Sequence, residues 1–202
     1  MNSYVVLDLE TTGFSTDTND IIEIGACLVE NNEITAAYNE LVKPPFYIPK
    51  QITNITGISY TMVQDKDGID KVLPRFRDFI GDRHLLGFNL PFDYGFLLAK
   101  GKKVGVDFSK MGRRAGIDVL KLCRTYCHYP SNKLTDVAEY MNIHLQGGTP
   151  HRALYDATMT KYVYDNIKAT YGKHKDIDEP RILIDDNRVY GKVVNCEALS
   201  LD

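Results

Sequence analysis

The chain has 202 residues, of which 44% are hydrophobic and 25% are charged, and this composition predicts a folded globular protein of one domain. No apolar run approaches the ~18 residues of a membrane span, and the N-terminus has no basic region typical of a secretory signal, so we expect a cytoplasmic protein without membrane contact. The net charge of −3 excludes binding of polyanions through overall charge, but it is compatible with a nucleic-acid enzyme whose carboxylates cluster at a metal site.

The first part of the chain predicts three β-strands. Apolar alternation indicates a strand from Tyr4 to Leu9, and two longer runs indicate strands from Ile21 to Val29 and from Ile34 to Val42. Asn31-Asn32 is typical of a tight turn, so we expect an antiparallel meander. The following stretch, 47–67, is expected to be loop with short helical turns.

Helices alternate with short strands in the remainder. We predict helices over 73–80, 91–101, 134–141 and 153–171, and strands over 84–88 and 117–120. Pro74 is expected in the first turn of its helix, where proline is tolerated. This order predicts an α/β sandwich with a mixed sheet. We expect one domain over 1–172 and a C-terminal extension over 173–202, in which segments 181–184 and 188–194 predict a β-hairpin.

The four cysteines do not form a disulfide framework or a convincing zinc site. Cys123 and Cys127 are four residues apart, but Cys27 and Cys196 are isolated in the sequence. Reduced, partly buried thiols are the expectation.

Four acidic residues occur at the ends of predicted elements. Asp8 and Glu10 lie on one face of the first strand, roughly 6–7 Å apart, at its C-terminal end. Asp93 follows the strand over 84–88, and Asp156 lies at the edge of an apolar helical stripe. Each has an ordinary alternative, as a charged strand end or as a helix-dipole acid. If all four converge, each pair at ~4 Å and an effective dielectric of ~20 costs about 4 kcal/mol, and Mg²⁺ or Mn²⁺ with oxygen ligands is the natural compensation.

Three segments together resemble the motifs of the DEDD 3′–5′ exonucleases. The resemblance covers about residues 3–170, and its segments are Val6-Leu7-Asp8-Leu9-Glu10-Thr11-Thr12-Gly13, Leu86-Gly87-Phe88-Asn89-Leu90-Pro91-Phe92-Asp93 and His151-Arg152-Ala153-Leu154-Tyr155-Asp156-Ala157. His151 stands five residues before the last acid, as in the DEDDh subclass, which includes the proofreading epsilon subunit of bacterial DNA polymerase III. The resemblance implies a ribonuclease-H-like α/β sandwich with a mixed five-stranded sheet flanked by helices.

The same resemblance implies a hydrolytic mechanism with two divalent cations, Mg²⁺ or Mn²⁺. Asp8, Glu10 and Asp156 would hold one ion, and Asp8 and Asp93 would help hold the second. His151 would take a proton from the attacking water. Nucleoside 5′-monophosphates would leave a single-stranded or frayed 3′ end, with DNA expected rather than RNA and a DNA polymerase or repair complex as a candidate partner. An exoribonuclease and a catalytically idle binding module are the alternatives.

Contacts to the substrate are also implied. The positions are Leu9, Thr11, Thr12, Phe14, Ile58 and Asn89. Phe14 and Ile58 would lie against the last bases, with core packing as the alternative, and Thr11 and Thr12 would bind the 3′-hydroxyl or cap the turn. Relatives often have His before Asn89, where this chain has Phe88.

Residues 100–124 form a basic segment that could guide the phosphate backbone or be a solvated loop. Its basic residues are Lys100, Lys102, Lys103, Lys110, Arg113, Arg114, Lys121 and Arg124, opposed by Asp107 and Asp118.

Overall fold

A five-stranded mixed sheet lies at the centre of the computed structural model, which describes residues 3–109, 116–173 and 177. The strand order is β3-β2-β1-β4-β5. The first three strands form an antiparallel meander, and β1, β4 and β5 run parallel. The strands are β1 (Ser3–Thr11), β2 (Ile21–Glu30), β3 (Glu33–Leu41), β4 (His84–Gly87) and β5 (Ile117–Asp118).

Helices cover both faces of the sheet. They are α1 (Lys50–Thr56), α2 (Tyr60–Val63), α3 (Ile69–Ile80), α4 (Leu90–Val104), α5 (Val119–Leu122), α6 (Leu134–Tyr140) and α7 (Ala153–Tyr171), with a π-helical turn (Cys123–Cys127) after α5. Within the described ranges, no helix combines the length and apolar composition of a membrane-spanning segment.

Two hydrophobic cores lie on opposite faces of β1. Val5 and Leu7 belong to the core that includes side chains of α3 and α4. Tyr4 and Val6 belong to the core that includes side chains of α6 and α7. This alternation follows from the two-residue period of a strand, and it directs even-numbered residues of β1 toward the α7 face.

The predicted fold class and the strand meander are confirmed. Among the described residues, Cys27, Cys123 and Cys127 carry free thiols, and the first two are buried. The predicted hairpin lies outside the described residues, as do Lys110, Arg113 and Arg114 of the basic segment.

Some element boundaries differ from the prediction. Helix α3 begins at Ile69, so Pro74 lies in its second turn, and the first turn is formed by bonds from Lys71 and Val72 to the Gly68 carbonyl. The strand expected over 117–120 ends at Asp118, because the Asp118 carboxylate accepts a hydrogen bond from the Leu120 amide and caps a helix there. Helix α4 continues beyond residue 101 to Val104.

Candidate active site

The site opens where β1 extends past its parallel neighbour. Pairing between β1 and β4 covers Tyr4 to Val6, whereas β1 continues to Thr11. After β4 the chain turns through Asn89, whose φ of 65° lies in the left-handed region, and enters α4. Asp93 in the first turn of α4 is thereby brought beside the free edge of β1. Its Oδ1 accepts a hydrogen bond of 3.0 Å from the Leu9 amide. The carboxylate thus takes the place of a strand carbonyl beyond the end of the β1–β4 pairing.

The other side of the site is formed by the N-terminal end of α7. Gly25 on β2 pairs with Asp8, and α7 packs directly on it. A Cβ atom at Gly25 would lie 2.1 Å from the Leu154 amide nitrogen, so a larger residue cannot occupy this position without displacing the helix. Because α7 lies this close to the sheet, its first turn places Asp156 beside the carboxylates of β1.

Glu23 and Arg152 fasten α7 to β2. Glu23 pairs with Glu10 across the strands and is fully buried. Its Oε1 accepts a bond of 2.6 Å from Arg152 Nη2, and its Oε2 accepts bonds of 3.0 Å from both Arg152 Nε and the Ala153 amide. Since Arg152 provides no side-chain cap of its own, Glu23 satisfies a backbone donor at the helix start.

His151 lies at the mouth of the site. Its backbone has a left-handed φ of 60°, and its amide donates a 3.1 Å hydrogen bond to Asp156 Oδ2. One possible ligand atom from each of Glu10, His151 and Asp156 lies within 4.8 Å of the others. The side chain of His151 is exposed, so the imidazole borders two acids while remaining open to solvent.

The four predicted acids are close enough to perturb one another. Burial, followed by the charges of Asp93, Glu10 and Asp156, raises the pKa of Asp8 well above its usual value. Burial and the charge of Asp156 raise the pKa of Glu10 to about 8. Burial is also the main cause that raises the pKa of Asp93, and it raises the pKa of Asp156 to about 6 against the opposing effect of His151. Bringing these carboxylates together without a cation is therefore unfavourable.

The donor set fits a hard divalent cation. All four acids offer carboxylate oxygens, which are the ligands that Mg²⁺ and Mn²⁺ prefer. They approach from the central strand and from helices on both faces of the sheet. The structure thus gathers Asp8, Glu10, Asp93, Asp156 and His151, and their assignment as ligands and base stays a prediction.

The two apolar positions predicted to contact bases differ in exposure. Phe14 is 57% exposed, and its ring makes an edge contact with Phe92 at a centroid distance of 6.4 Å. Ile58 is fully buried in a small core with Ile22 and Ile48. The geometry therefore favours core packing for Ile58 and leaves the ring of Phe14 available to a ligand.

The turn after β1 uses both threonines internally. Thr11 Oγ1 donates a 2.7 Å bond to the Gly13 carbonyl, and Thr12 Oγ1 accepts a 2.9 Å bond from the Asp20 amide. The turn-capping alternative therefore accounts for these contacts. Leu9 also has its amide occupied, by Asp93.

Lys100 is an ion-pair partner inside the protein rather than a surface cation. Its side chain is 2% exposed, and its Nζ lies 2.9 Å from Asp20 Oδ1. The pair connects α4 to the turn that carries Phe14. Lys100 is thus buried away from solvent, which argues against the predicted role in guiding phosphates, whereas Lys121 and Arg124 are exposed.

Sequence reasoning missed Glu23, Gly25, Arg152 and the positioning contacts of Asp118. Asp118 Oδ1 accepts a 3.0 Å bond from the Asn89 amide, so it fixes the turn that precedes α4, and its charge contributes to the raised pKa of Asp93. The detectable signal was Glu23, an acid within the apolar run Ile21-Ile22-Glu23-Ile24. A buried acid requires a partner, and Arg152 supplies it.

Comparison with known proteins defines the class. The family model described as "Exonuclease" (RNase_T) matches residues 5–164. The PolC-type DNA polymerase III of Clostridium perfringens (strain 13 / Type A) is 37% identical over 176 residues, which are 87% of this chain and 12% of that protein. The DNA polymerase III subunit epsilon of Aquifex aeolicus (strain VF5) is 34% identical over 168 residues, which are 82% of this chain and 80% of the subunit.

A solved structure agrees in fold. The structure titled "Exonuclease X in complex with 5' overhanging duplex DNA" superposes with a TM-score of 0.70 at 24% identity, covering 90% of this chain and 99% of that one. The chain belongs to the exonuclease family, and the resemblance to its DEDDh members is confirmed. It spans only about an eighth of the length of the PolC-type relatives that it matches.

Proposed function

We propose that this chain is a divalent-metal-dependent 3′–5′ exonuclease that releases nucleoside 5′-monophosphates from single-stranded or frayed 3′ ends, with DNA as the preferred substrate. The observation that carries the proposal is the convergence of four buried or half-buried carboxylates from three elements, with an exposed imidazole beside two of them. A binding module would have no need to keep so unfavourable a cluster of acids.

The residues divide into two sets of ligands. Asp8, Glu10 and Asp156 would hold one cation, and Asp8 and Asp93 would help hold a second. Cations bound by these carboxylates would neutralise the acids and would supply Lewis-acid stabilisation of the charge that develops during phosphodiester hydrolysis. Asp93 is positioned by the Leu9 amide, and Asp156 by the His151 amide, so each carboxylate keeps an orientation before any ion binds.

His151 would act as the general base. It is solvent-exposed and borders Glu10 and Asp156, so a water molecule can reach the ring from outside. A neutral imidazole nitrogen at this place can accept the proton that the attacking water gives up. The left-handed backbone of His151 turns the chain directly before α7. The imidazole therefore lies outside the helix that carries the proposed metal ligand Asp156.

DNA and a polymerase partner are supported by the relatives. Two of them are described as DNA polymerase III proteins, one as its epsilon subunit. A partner polymerase would deliver an unpaired 3′ end, against which the exposed ring of Phe14 can stack.

The test compares 5′-labelled single-stranded DNA, duplex DNA with a mismatched 3′ end, and short RNA, each with Mg²⁺, with Mn²⁺ and with EDTA. We expect stepwise shortening from the 3′ end with either ion and none with EDTA. Asp8→Asn and Asp93→Asn should abolish it, whereas Asp82→Asn, which alters an acid on the surface, should not. Faster shortening of RNA would favour the exoribonuclease, and binding without shortening would favour the idle module.

A further inference from the structure

The connection between β3 and α1 carries two adjacent aromatic rings on the surface. Phe46 is 76% exposed and Tyr47 is 79% exposed, more than any other large hydrophobic side chain among the described residues. Five of the eight exposed large hydrophobic side chains among the described residues belong to one stretch of the chain, 46–62. Such a concentration is typical of a binding surface.

The two rings are presented by a firmly attached segment. The Val42 amide donates a 2.9 Å bond to the Ile22 carbonyl, and the Lys43 amide donates a 3.0 Å bond to the Asp67 carbonyl. Ile48 is buried against Ile22 at the other end of the segment. Since both ends are fixed, little conformational entropy is lost when the rings bind a ligand.

The segment lies at the same end of the sheet as the carboxylates. β1 and β3 run in the same direction, and Glu10 pairs with Glu23, which pairs with Leu41 at the end of β3. Neighbouring strands are ~4.8 Å apart, so Leu41 lies about 10 Å across the sheet from Glu10. A nucleic-acid strand advances at least ~3.4 Å per nucleotide. A strand with its 3′ end at the carboxylates therefore reaches this segment within a few nucleotides.

The positive charges beside the two rings favour a nucleic-acid strand as the ligand. Exposed Lys43 and Lys50 flank the pair on either side. Exposed aromatic rings between cations are suited to a single strand, because bases stack on the rings while phosphates contact the ammonium groups. A protein partner would have no comparable need for both lysines.

We propose that Phe46 and Tyr47, with Lys43 and Lys50, form a contact site for unpaired nucleotides upstream of the 3′ end. The proposal deepens the proposed exonuclease function and rests on it. The upstream site holds the strand during successive cleavages, and it does not participate in the chemistry.

Substrate length separates this site from the active site. We would measure kcat and KM of the full-length wild type, Phe46→Ala, Tyr47→Ala and the double variant. The two substrates are a thymidine dinucleotide and an oligothymidylate of about twelve nucleotides. Each ring is more than three-quarters exposed, so its removal should leave the fold intact. We expect KM for the oligonucleotide to rise about 5- to 100-fold in each single variant and further in the double variant, with kcat unchanged and dinucleotide hydrolysis unaffected.

Controls make the result specific. Tyr162→Ala removes a ring on α7 that is 40% exposed, and it should not change KM for either substrate. Tyr47→Phe should retain wild-type KM, because stacking needs the ring rather than the hydroxyl. Lys43→Gln with Lys50→Gln should reduce the slope of log K against log salt by about 1.4, because each phosphate contact to a single strand contributes about 0.7.

An unchanged KM for the oligonucleotide, or an equal loss on both substrates, would overturn the proposal. Fluorescence anisotropy of the labelled oligonucleotide in EDTA gives a readout that does not need hydrolysis. If no substrate is cleaved by the wild type but the ring variants still lose affinity, the exonuclease function fails while the strand contact stands.

Discussion

Arg152→Met tests how the Glu23–Arg152 pair positions the start of α7. The substitution keeps the apolar stem but removes a guanidinium that makes bonds of 2.6 and 3.0 Å to Glu23. Glu23 is then left fully buried with the Ala153 amide as its remaining described donor. Breaking a buried pair by removing one partner costs about 3–5 kcal/mol. The Arg152 side chain is 34% exposed, so water replaces part of the lost interaction, and we expect about 2–4 kcal/mol.

The assay is thermal unfolding in EDTA, combined with urea denaturation. For a domain of this size, 1 kcal/mol corresponds to about 2–4 °C in Tm, so the single variant should melt roughly 5–15 °C lower. Adding Glu23→Gln should recover part of the loss, because glutamine retains an oxygen for the Ala153 amide and carries no charge. Arg75→Met is the matched control, since its ion pairs with Glu40 and Asp67 lie at the surface and contribute below about 1 kcal/mol.

Two outcomes would refute the reasoning. One is a Tm of Arg152→Met that is as close to the wild type as that of Arg75→Met. The other is a double variant whose destabilisation equals the sum of the single ones, since independent sites add and a coupled pair does not. Either result would mean that the pair in the structure is not what fixes α7 on β2.

Three further predictions concern the same region. His151→Asn should lower turnover at saturating metal by roughly 10²–10⁴, while the metal affinity measured by calorimetry stays near that of the wild type. Asparagine is chosen because it adopts the left-handed backbone of residue 151 more readily than alanine does. Unchanged turnover would show that His151 is not the base. The ion-free protein should lose stability as pH rises, because the folded pKa values of Glu10, about 8, and Asp156, about 6, exceed their unfolded values. The stabilisation by the protonated carboxyl groups is complete below about pH 4 and is lost through about pH 8, so Tm in EDTA should fall over that window, and it should fall less in Asp8→Asn. A Tm that does not change with pH would contradict the repulsion between these carboxylates. Gly25→Ala should destabilise the protein by about 1–3 kcal/mol and reduce activity, since its Cβ meets backbone at 2.1 Å, and wild-type values of both would show that the helix can move away at no cost.

The sequence allowed the architecture to be predicted because strands and helices depend on local periodicity, whereas the four acids and His151 were singled out together only by the resemblance of their three motifs to the exonucleases. Asp8 and Glu10 share a face through the two-residue period of β1, and His151 and Asp156 are related by a helix start that Pro150 marks. Boundaries were harder to predict, since Pro74 lies in a second turn and the strand at Ile117 gives way to a helix capped by Asp118.

The supporting contacts could not be predicted, because they depend on how distant elements dock. The partnership of Glu23 with Arg152 joins residues 129 positions apart and requires both the register of β2 and the height of α7 above it. The burial of Ile58 and Lys100 likewise depends on tertiary packing, and their sequence neighbourhoods are equally compatible with surface roles. Only the apolar residues around Glu23 offered a local sign of a buried charge.

Because the two cores lie on opposite faces of the sheet, metal bound at the site would also stabilise the fold by linking the two helical layers to β1. Asp93 is attached to the layer on one face of the sheet and Asp156 to the layer on the other, with β1 between them. The ion held by Asp156 and the ion held by Asp93 would both contact Asp8 on β1, so each ion would link its helical layer to the sheet. Any opening that releases one layer would have to release the ion as well, and at a free concentration 100 times Kd such linkage adds about 2.7 kcal/mol to the free energy of unfolding. The supply of free cation would then govern how long the folded domain resists proteolysis, separately from how fast it works.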